Sequence, residues 1–356
     1  KSGLSIIGIG FAVAMMMLTL FQRDAIDYML DVQFRLAQKQ DMTVTFVEAT
    51  DNRAVYDLQA MPGVRYAEGF RSAPAILRYG HREYRGAVQG FEPNSQLNAI
   101  LDTDLQPITL PAEGVLLTDH LATMLDIKPG EMLQVSVQEG RRPELEIPVA
   151  GLVTEFVGVG AYMQRNTLTR LLGEGETVSG AFLAVEPYAM DDISQRLQQM
   201  PRVAGVSLQE NTIRAFTAMM DETILLFTLF SMVMAGSIAF AVVYNNARIA
   251  FAERGRELAS LRVLGFTKGE VAFILLGELL LLTFAAMPVG FLLGAALGWL
   301  LTIGMQTDLY RIPLVLTPAT YGTAAIGVLI ATLLSALVIA RSLAKLDMVL
   351  ALKAAE

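Results

Sequence analysis

The 356 residues are 53% hydrophobic and carry a formal net charge of −8. That apolar share, gathered into long charge-free runs, excludes an ordinary soluble domain. With no cysteine, disulfide and thiolate chemistry are excluded too. A domain of this size builds a core without disulfides, so the absence does not fix the compartment.

In chain order, Leu4–Phe21 is the first charge-free run, just long enough for a helix across a hydrocarbon core about 30 Å thick. Phe21-Gln22-Arg23-Asp24 follows where a cleaved signal would show small residues, which favours a membrane helix. Ile26, Met29, Leu30, Phe34 and Ala37 then recur on one helical face, predicting that the helix continues as a stalk. A stalk from Ser5 to Gln40 would reach about 54 Å.

Two later segments resemble one another. TVTFVE followed by NRAVYDLQAMPGVRYAEGF, and GAFLAVE followed by MDDISQRLQQMPRVAGVSL, each read as strand, helix, strand. Both contain Leu-Gln-x-Met-Pro-x-Val, at Leu58–Val64 and Leu197–Val203. The proline ends the helix and the valine opens the next strand. Between the copies, Arg71, Arg78, Arg82 and Arg85 mark a basic strand region that could meet a lipid headgroup or a partner carboxylate, with a solvated face paired with Glu83 and other acids the favoured reading. Residues 113–153 read as strand (Gly114–Thr118), short helix (His120–Leu125), turn (Lys128-Pro129-Gly130) and two strands (Leu133–Val137, Leu145–Val153), with Gly140 in the hairpin turn. Phe156–Met163 (FVGVGAYM) reads either as an exposed apolar loop or as a segment buried in the core.

Asn211 is a candidate cap for a second stalk helix running into the charge-free run Thr223–Tyr244. Glu253–Leu264 has helical spacing with an apolar side of Leu258, Leu261 and Leu264, flanked by opposite-charge pairs Glu253–Arg256 and Arg254–Glu257. Its mixed charge suits a protein partner better than an anionic lipid surface. Gly265 fits a helix stop. Thr267-Lys268-Gly269-Glu270 reads as a capping box, opening the run Val271–Met305, whose single charge is Glu278. That intramembrane acid sits near the helix entrance, within reach of the basic loop, which favours pairing over proton transport. Gly290, Gly294 and Gly298 form a small-residue stripe suited to close helix packing in lipid. Thr317-Pro318 reads as N-cap and N1 proline, opening the charge-free run Pro318–Ala340.

The expected division is transmembrane helix 1 over 1–23, an extracytoplasmic domain with stalk helices at both ends over 24–218, and transmembrane helix 2 over 219–246. A cytoplasmic coupling helix and loop follow over 247–270, then transmembrane helix 3 over 271–305, a short outer loop over 306–317, transmembrane helix 4 over 318–341 and a cytoplasmic tail over 342–356. The fold class is a four-helix membrane protein with a large α+β extracytoplasmic domain, built of two βαβ-like porter-type halves and a small β-rich subdomain. Arg248, Arg254, Arg256, Arg262 and Lys268 place the loop before helix 3 inside, as do Arg341, Lys345 and Lys353 for the tail. Residues 24–218 carry 26 acidic and 16 basic residues, a balance of −10 against +2 for the remainder. An acidic domain of this kind argues against nucleic-acid binding.

Catalytic motifs are missing. The sequence has no G-x-x-x-x-G-K-[ST], no H-E-x-x-H and no G-x-S-x-G, and its two histidines, His81 and His120, lie far apart. No residue is singled out as catalytic or as a metal ligand.

The segment ERGRELASLRVLGFTKGEVAFILLGELLLL closely resembles the C-terminal permease domain of the FtsX/MacB family of ABC transporters. Glu253, Arg254, Glu257, Leu258, Arg262 and Gly265 occupy that family's E-R-x-x-E-[LI]-x-x-x-R-x-x-G motif, and Glu278 matches an acid common early in its third span. KLDMVLALK resembles the family's L-D-P-V-x-A-L ending, with Met348 in place of proline. EGVLLTDHLATMLDIKPGEMLQV resembles its ectodomain. GVGAYMQRNTLTRLLGEGETVSGAFLAVE looks like larger permeases that carry two such units in tandem, of which this chain would be the second.

The resemblance implies a permease subunit without its own ATPase site. A separate ABC ATPase, holding ATP and Mg, would dock on Phe251, Glu253, Arg254, Arg256, Glu257, Leu258, Leu261, Arg262 and Gly265. It implies a second permease unit, membrane lipid around the spans, a bacterial inner membrane, and extraction or export of a lipid, lipoprotein, peptide or amphiphile. The alternative it leaves open is a signalling scaffold that regulates an extracellular partner enzyme.

Overall fold

The computed structural model describes residues 2–102, 105–264, 266–304 and 311–345, with the side chains of 2, 4, 219–225, 227, 246–247, 250–263, 268, 271–272, 274–276 and 339–345 outside the description. The chain divides into two compact units. The membrane unit comprises Lys1–Asp27, Met220–Met305 and Ile312–Glu356; the α+β unit comprises Tyr28–Met219 and Gln306–Arg311.

Among the described residues, the membrane unit takes in all or most of four helices: α1 (Ser2–Asp31), α6 (Gln209–Val263), α7 (Lys268–Gly304) and α8 (Pro318–Lys345). Each contains a stretch long and apolar enough to cross a membrane. The core of this unit gathers Ile9, Val13 and Met17 of α1 with Ala235 and Val243 of α6, Ala286 of α7, and Ala324 and Val328 of α8. The lipid-facing sides keep large apolar residues such as Leu281, Leu292, Trp299 and Ile326 exposed. This inverts the burial pattern of a soluble bundle and matches hydrocarbon solvent. Helix α7 continues through Pro288.

In the α+β unit, β1 (Met42–Asp51), α2 (Arg53–Gln59) and β2 (Val64–Tyr79) form the first copy of the repeat; β8 (Thr177–Val185), α5 (Met190–Gln198) and β9 (Val203–Leu208) form the second. The copies are not separate halves. Strand β8 lies between β1 and β2, and β1 lies between β8 and β9, all neighbours antiparallel. Two split βαβ units thus interlock into one four-stranded sheet in the order β2-β8-β1-β9, the ferredoxin-like arrangement. Interlocking follows from burial, because one βαβ copy cannot cover its own apolar face. Val55 and Leu58 of α2 and Ile193 and Leu197 of α5 pack on the sheet face that carries Val44, Ala181 and Leu183. The intervening Phe182 points to the opposite face, where its ring stacks on Phe70 at 4.6 Å.

The β-rich part between the copies is a closed barrel. Beyond residue 70, β2 leaves β8 and pairs with β3 (Arg82–Phe91) on one side and β5 (Met132–Val137) on the other. Strand β5 pairs with β6 (Glu144–Val153), β6 with β4 (Val115–Thr118), β4 with β7 (Ala161–Gln164), and β7 with β3. Six strands close on themselves, which removes the exposed edges. Ala73, Ala75, Leu77, Leu117, Leu133 and Ile147 fill the barrel under α3 (Asp119–Leu125) and α4 (Arg165–Leu172). Gly140 turns the β5–β6 hairpin at φ +57°, as its place in the sequence predicts.

Two features depart from the sequence reading. Strand β7 and helix α4 occupy 161–172, a stretch with no predicted elements. Arg71 does not lie on a solvated face. It continues the inward series Ala73, Ala75, Leu77 and is 1% exposed. Of the two readings of Phe156–Met163, burial holds: Phe156–Val159 are half-buried and Gly160–Met163 buried, because the segment leads into β7 inside the closed barrel.

Candidate functional site

Most of the residues that the sequence marks as a candidate ATPase contact lie on α6. This helix is a single element of 55 residues, about 80 Å long at 1.5 Å per residue. It opens directly after β9, at Gln209 rather than at Asn211, and has no break at 246, where a separate coupling helix was expected. Phe251, Glu253, Arg254, Arg256, Glu257, Leu258, Leu261 and Arg262 all fall in its last turns; their side chains, the whole of Gly265 and the tail 346–356 lie outside the described residues. At the other end, the Gln209 N–H donates to the Asp41 carbonyl and the Gln209 amide donates to the Gln38 carbonyl. These bonds tie the start of α6 to the chain entering β1.

The connection from α6 to α7 is short. Leu264 is 76% exposed, and Thr267 then forms the predicted capping box. The Thr267 N–H donates to Glu270 Oε2 at 2.7 Å, and the Glu270 N–H donates to Thr267 Oγ1 at 3.3 Å. The Thr267 backbone and hydroxyl hydrogen bonds hold the Glu270 carboxyl below its ordinary range.

Gly290 and Gly294 face α1. A Cβ at Gly290 would stand 2.5 Å from Val13 Cβ and 2.7 Å from the Gly10 carbonyl; one at Gly294 would stand 2.8 Å from Met17 Sδ. Gly298 instead faces Leu314, at 3.3 Å. Glu278 is half-buried on α7. At the start of α8, the Thr320 N–H donates to Thr317 Oγ1, and both hydroxyls donate to Asp24 of α1. A carboxylate at this position complements the helix N-terminus.

The α+β unit holds features that sequence reasoning missed. After Asp31, α1 passes into a π-helical turn, Val32–Ala37, a geometry frequent at functional sites. That turn, the strand-like segment 98–101 and the loop 153–159 enclose a cavity of about 360 Å³. Val32, Phe34, Ala99, Leu101 and Phe156 give it apolar walls. Glu155 and Tyr162 supply polar groups, the Tyr162 hydroxyl donating to Glu155 Oε2. Burial raises the Glu155 carboxyl above its ordinary range, against hydrogen bonds from Tyr162 and Gln33 and the Arg311 charge. Burial, then the Glu155 charge, holds the Tyr162 hydroxyl well above its usual value. Arg311 fixes the loop from behind: its N–H donates to the Phe156 carbonyl at 2.8 Å, and its guanidinium donates to Asp119 and to the Glu155 carbonyl. The residues are scattered from 32 to 311, and no local motif announces them.

Among the described residues, four helices long and apolar enough to cross a membrane, with one large folded unit following the first in chain order, define a multi-span membrane protein. Residues 229–348 match the family model of the FtsX-like permease C-terminal domain. The periplasmic region of MacB from Actinobacillus actinomycetemcomitans is similar at 11% identity and a TM-score of 0.35, over 51% of this chain and 95% of that one. The extracellular domain of the noncanonic ABC-type transporter YknZ from Gram-positive bacteria is similar at 12% identity and a TM-score of 0.32, over 47% and 98%. A domain of a putative permease protein from Porphyromonas gingivalis follows at 13% identity and a TM-score of 0.27, over 48% and 87%. No curated protein matches the chain.

Proposed function

We propose that this chain is the permease subunit of an ABC transporter and that α6 carries the mechanical signal. The observation behind this reading is the unbroken helix from Gln209, beside β9 and β1, to Val263, two residues before the last position of the proposed coupling motif. A separate ATPase, holding ATP and Mg, docks on the last turns of α6 in the cytoplasm. Its closure shifts or rotates the helix, and the same rigid element delivers that motion to the four-stranded sheet. A second permease unit completes the transporter, which sits in a bacterial inner membrane and extracts or exports a lipid, lipoprotein, peptide or amphiphile.

A helix suits this work because its backbone hydrogen bonds are satisfied within the element, so it crosses lipid without a hinge. Glu253, Arg254, Arg256 and Glu257 offer alternating charge to a partner, which fixes register more than it adds affinity. The test is ATPase activity of the cognate ATPase reconstituted with this permease and its second unit. Glu257→Arg and Arg254→Glu abolish stimulation if the motif is the docking contact; unchanged stimulation and binding in both variants contradict it.

A further inference from the structure

We infer that the cavity of about 360 Å³ between the π-helical turn, segment 98–101 and loop 153–159 binds an amphiphile with an ammonium head and one apolar chain. The inference rests on the transport reading, to which it adds a cargo-contact site and a ligand class. Three observations carry it.

The first is size. Pockets for small ligands run from about 300 to 1,000 Å³, so this cavity holds one short chain or ring rather than a whole diacyl lipid. The second is the wall. Val32, Phe34, Ala99, Leu101 and Phe156 present carbon, and methylenes buried against them leave water for an apolar surface. The third is charge. Glu155 is the acid of the wall, and none of the described lining residues is Lys or Arg. The nearby cation, Arg311, is paired with Asp119 and the Glu155 carbonyl. An anionic head would meet the Glu155 carboxyl with no Lys or Arg in the described lining to offset it, whereas an ammonium supplies a counter-charge to that carboxyl from within the cavity, beside the neutral polar side chains of Gln38, Gln89, Asn98 and Thr154. Gln33, 5% exposed, and Tyr162, 8% exposed, hold that carboxyl in place.

The experiment uses the full chain in lipid nanodiscs and three diazirine-bearing probes of equal chain length: octylammonium, octanoate and octanol. Cross-linked residues are mapped by mass spectrometry. Octylammonium is expected to label segments 98–101 or 153–159 and octanoate is not. Glu155→Gln keeps the shape of the side chain and lowers octylammonium labelling by at least about tenfold, the worth of a hydrogen bond to a charged group, while octanol labelling persists. Ile100→Arg, at a half-buried wall position, reverses the preference toward octanoate. Equal labelling by octanoate in the unaltered protein, or octylammonium labelling that survives both substitutions, overturns the inference. ATPase stimulation is measured on the same samples. Cavity labelling without coupling refutes the transmission reading alone, and coupling without cavity labelling refutes the binding site alone.

Discussion

Replacing Arg71 with methionine removes the charge at the point where β2 passes from the four-stranded sheet into the barrel. The Arg71 guanidinium donates to Glu174 through Nε at 3.0 Å and Nη2 at 2.9 Å, to Ser179 Oγ at 2.9 Å and to the Ser72 carbonyl at 2.7 Å, and it also pairs with Glu139. Breaking a buried ion pair from one side costs about 3–5 kcal/mol. Here the Glu174 and Glu139 side chains keep 26% and 36% exposure, so water partly recovers them and the lower end, about 3 kcal/mol, applies. Hydrogen exchange of β2 and β8 amides in the full chain reads this as a fall in opening free energy. The pH dependence adds a second signature. Hydrogen bonds from Arg71 are the main reason that the Glu174 carboxyl titrates below its ordinary range. Its stabilising contribution is therefore present above the unfolded pKa and is lost as pH falls through the lower folded value. Arg71→Met flattens that acid limb. A loss under about 1 kcal/mol, well below the range for a broken buried pair, or an unchanged acid limb, refutes the assignment of Arg71 as the clasp between sheet and barrel.

Gly290→Val forces a side chain against Val13 and the Gly10 carbonyl and destabilises the membrane unit by about 1–3 kcal/mol, read as a lower melting temperature in detergent. Gly304→Ala, where nothing lies within 4 Å, is the control, and equal melting of the two proteins contradicts the packing. Thr267→Ala removes the cap of α7 at a cost of about 1 kcal/mol, visible as faster exchange of the Glu270 amide and its neighbours.

Local chemistry was legible in the sequence wherever a few adjacent residues settle it. The Thr267 capping box, the Thr317-Pro318 helix start, the Gly140 turn and the repeated Leu-Gln-x-Met-Pro-x-Val each depend on contacts within one or two turns of chain. What the repeat builds was not legible. The order β2-β8-β1-β9 depends on which apolar faces find each other across distant parts of the chain, and two separate halves show the same periodicity as two interlocked ones. Strand β7 is four residues long, too short for alternation to stand out. Arg71 looked like its neighbours Arg78 and Arg82, because charge gives no sign of burial until Glu139 and Glu174 arrive from distant segments. The cavity was hidden for the same reason, its wall residues being spread over several elements.

The central claim is that α6 transmits a nucleotide-dependent motion to the α+β unit. Its most direct test is hydrogen exchange of β9, the first turns of α6 and segment 32–41 in the reconstituted complex, with and without nucleotide trapping. A trapped nucleotide is expected to change exchange in these segments for the unaltered permease and to leave it unchanged in Glu257→Arg. Identical exchange with and without nucleotide, in a complex whose ATPase is stimulated, would contradict the account.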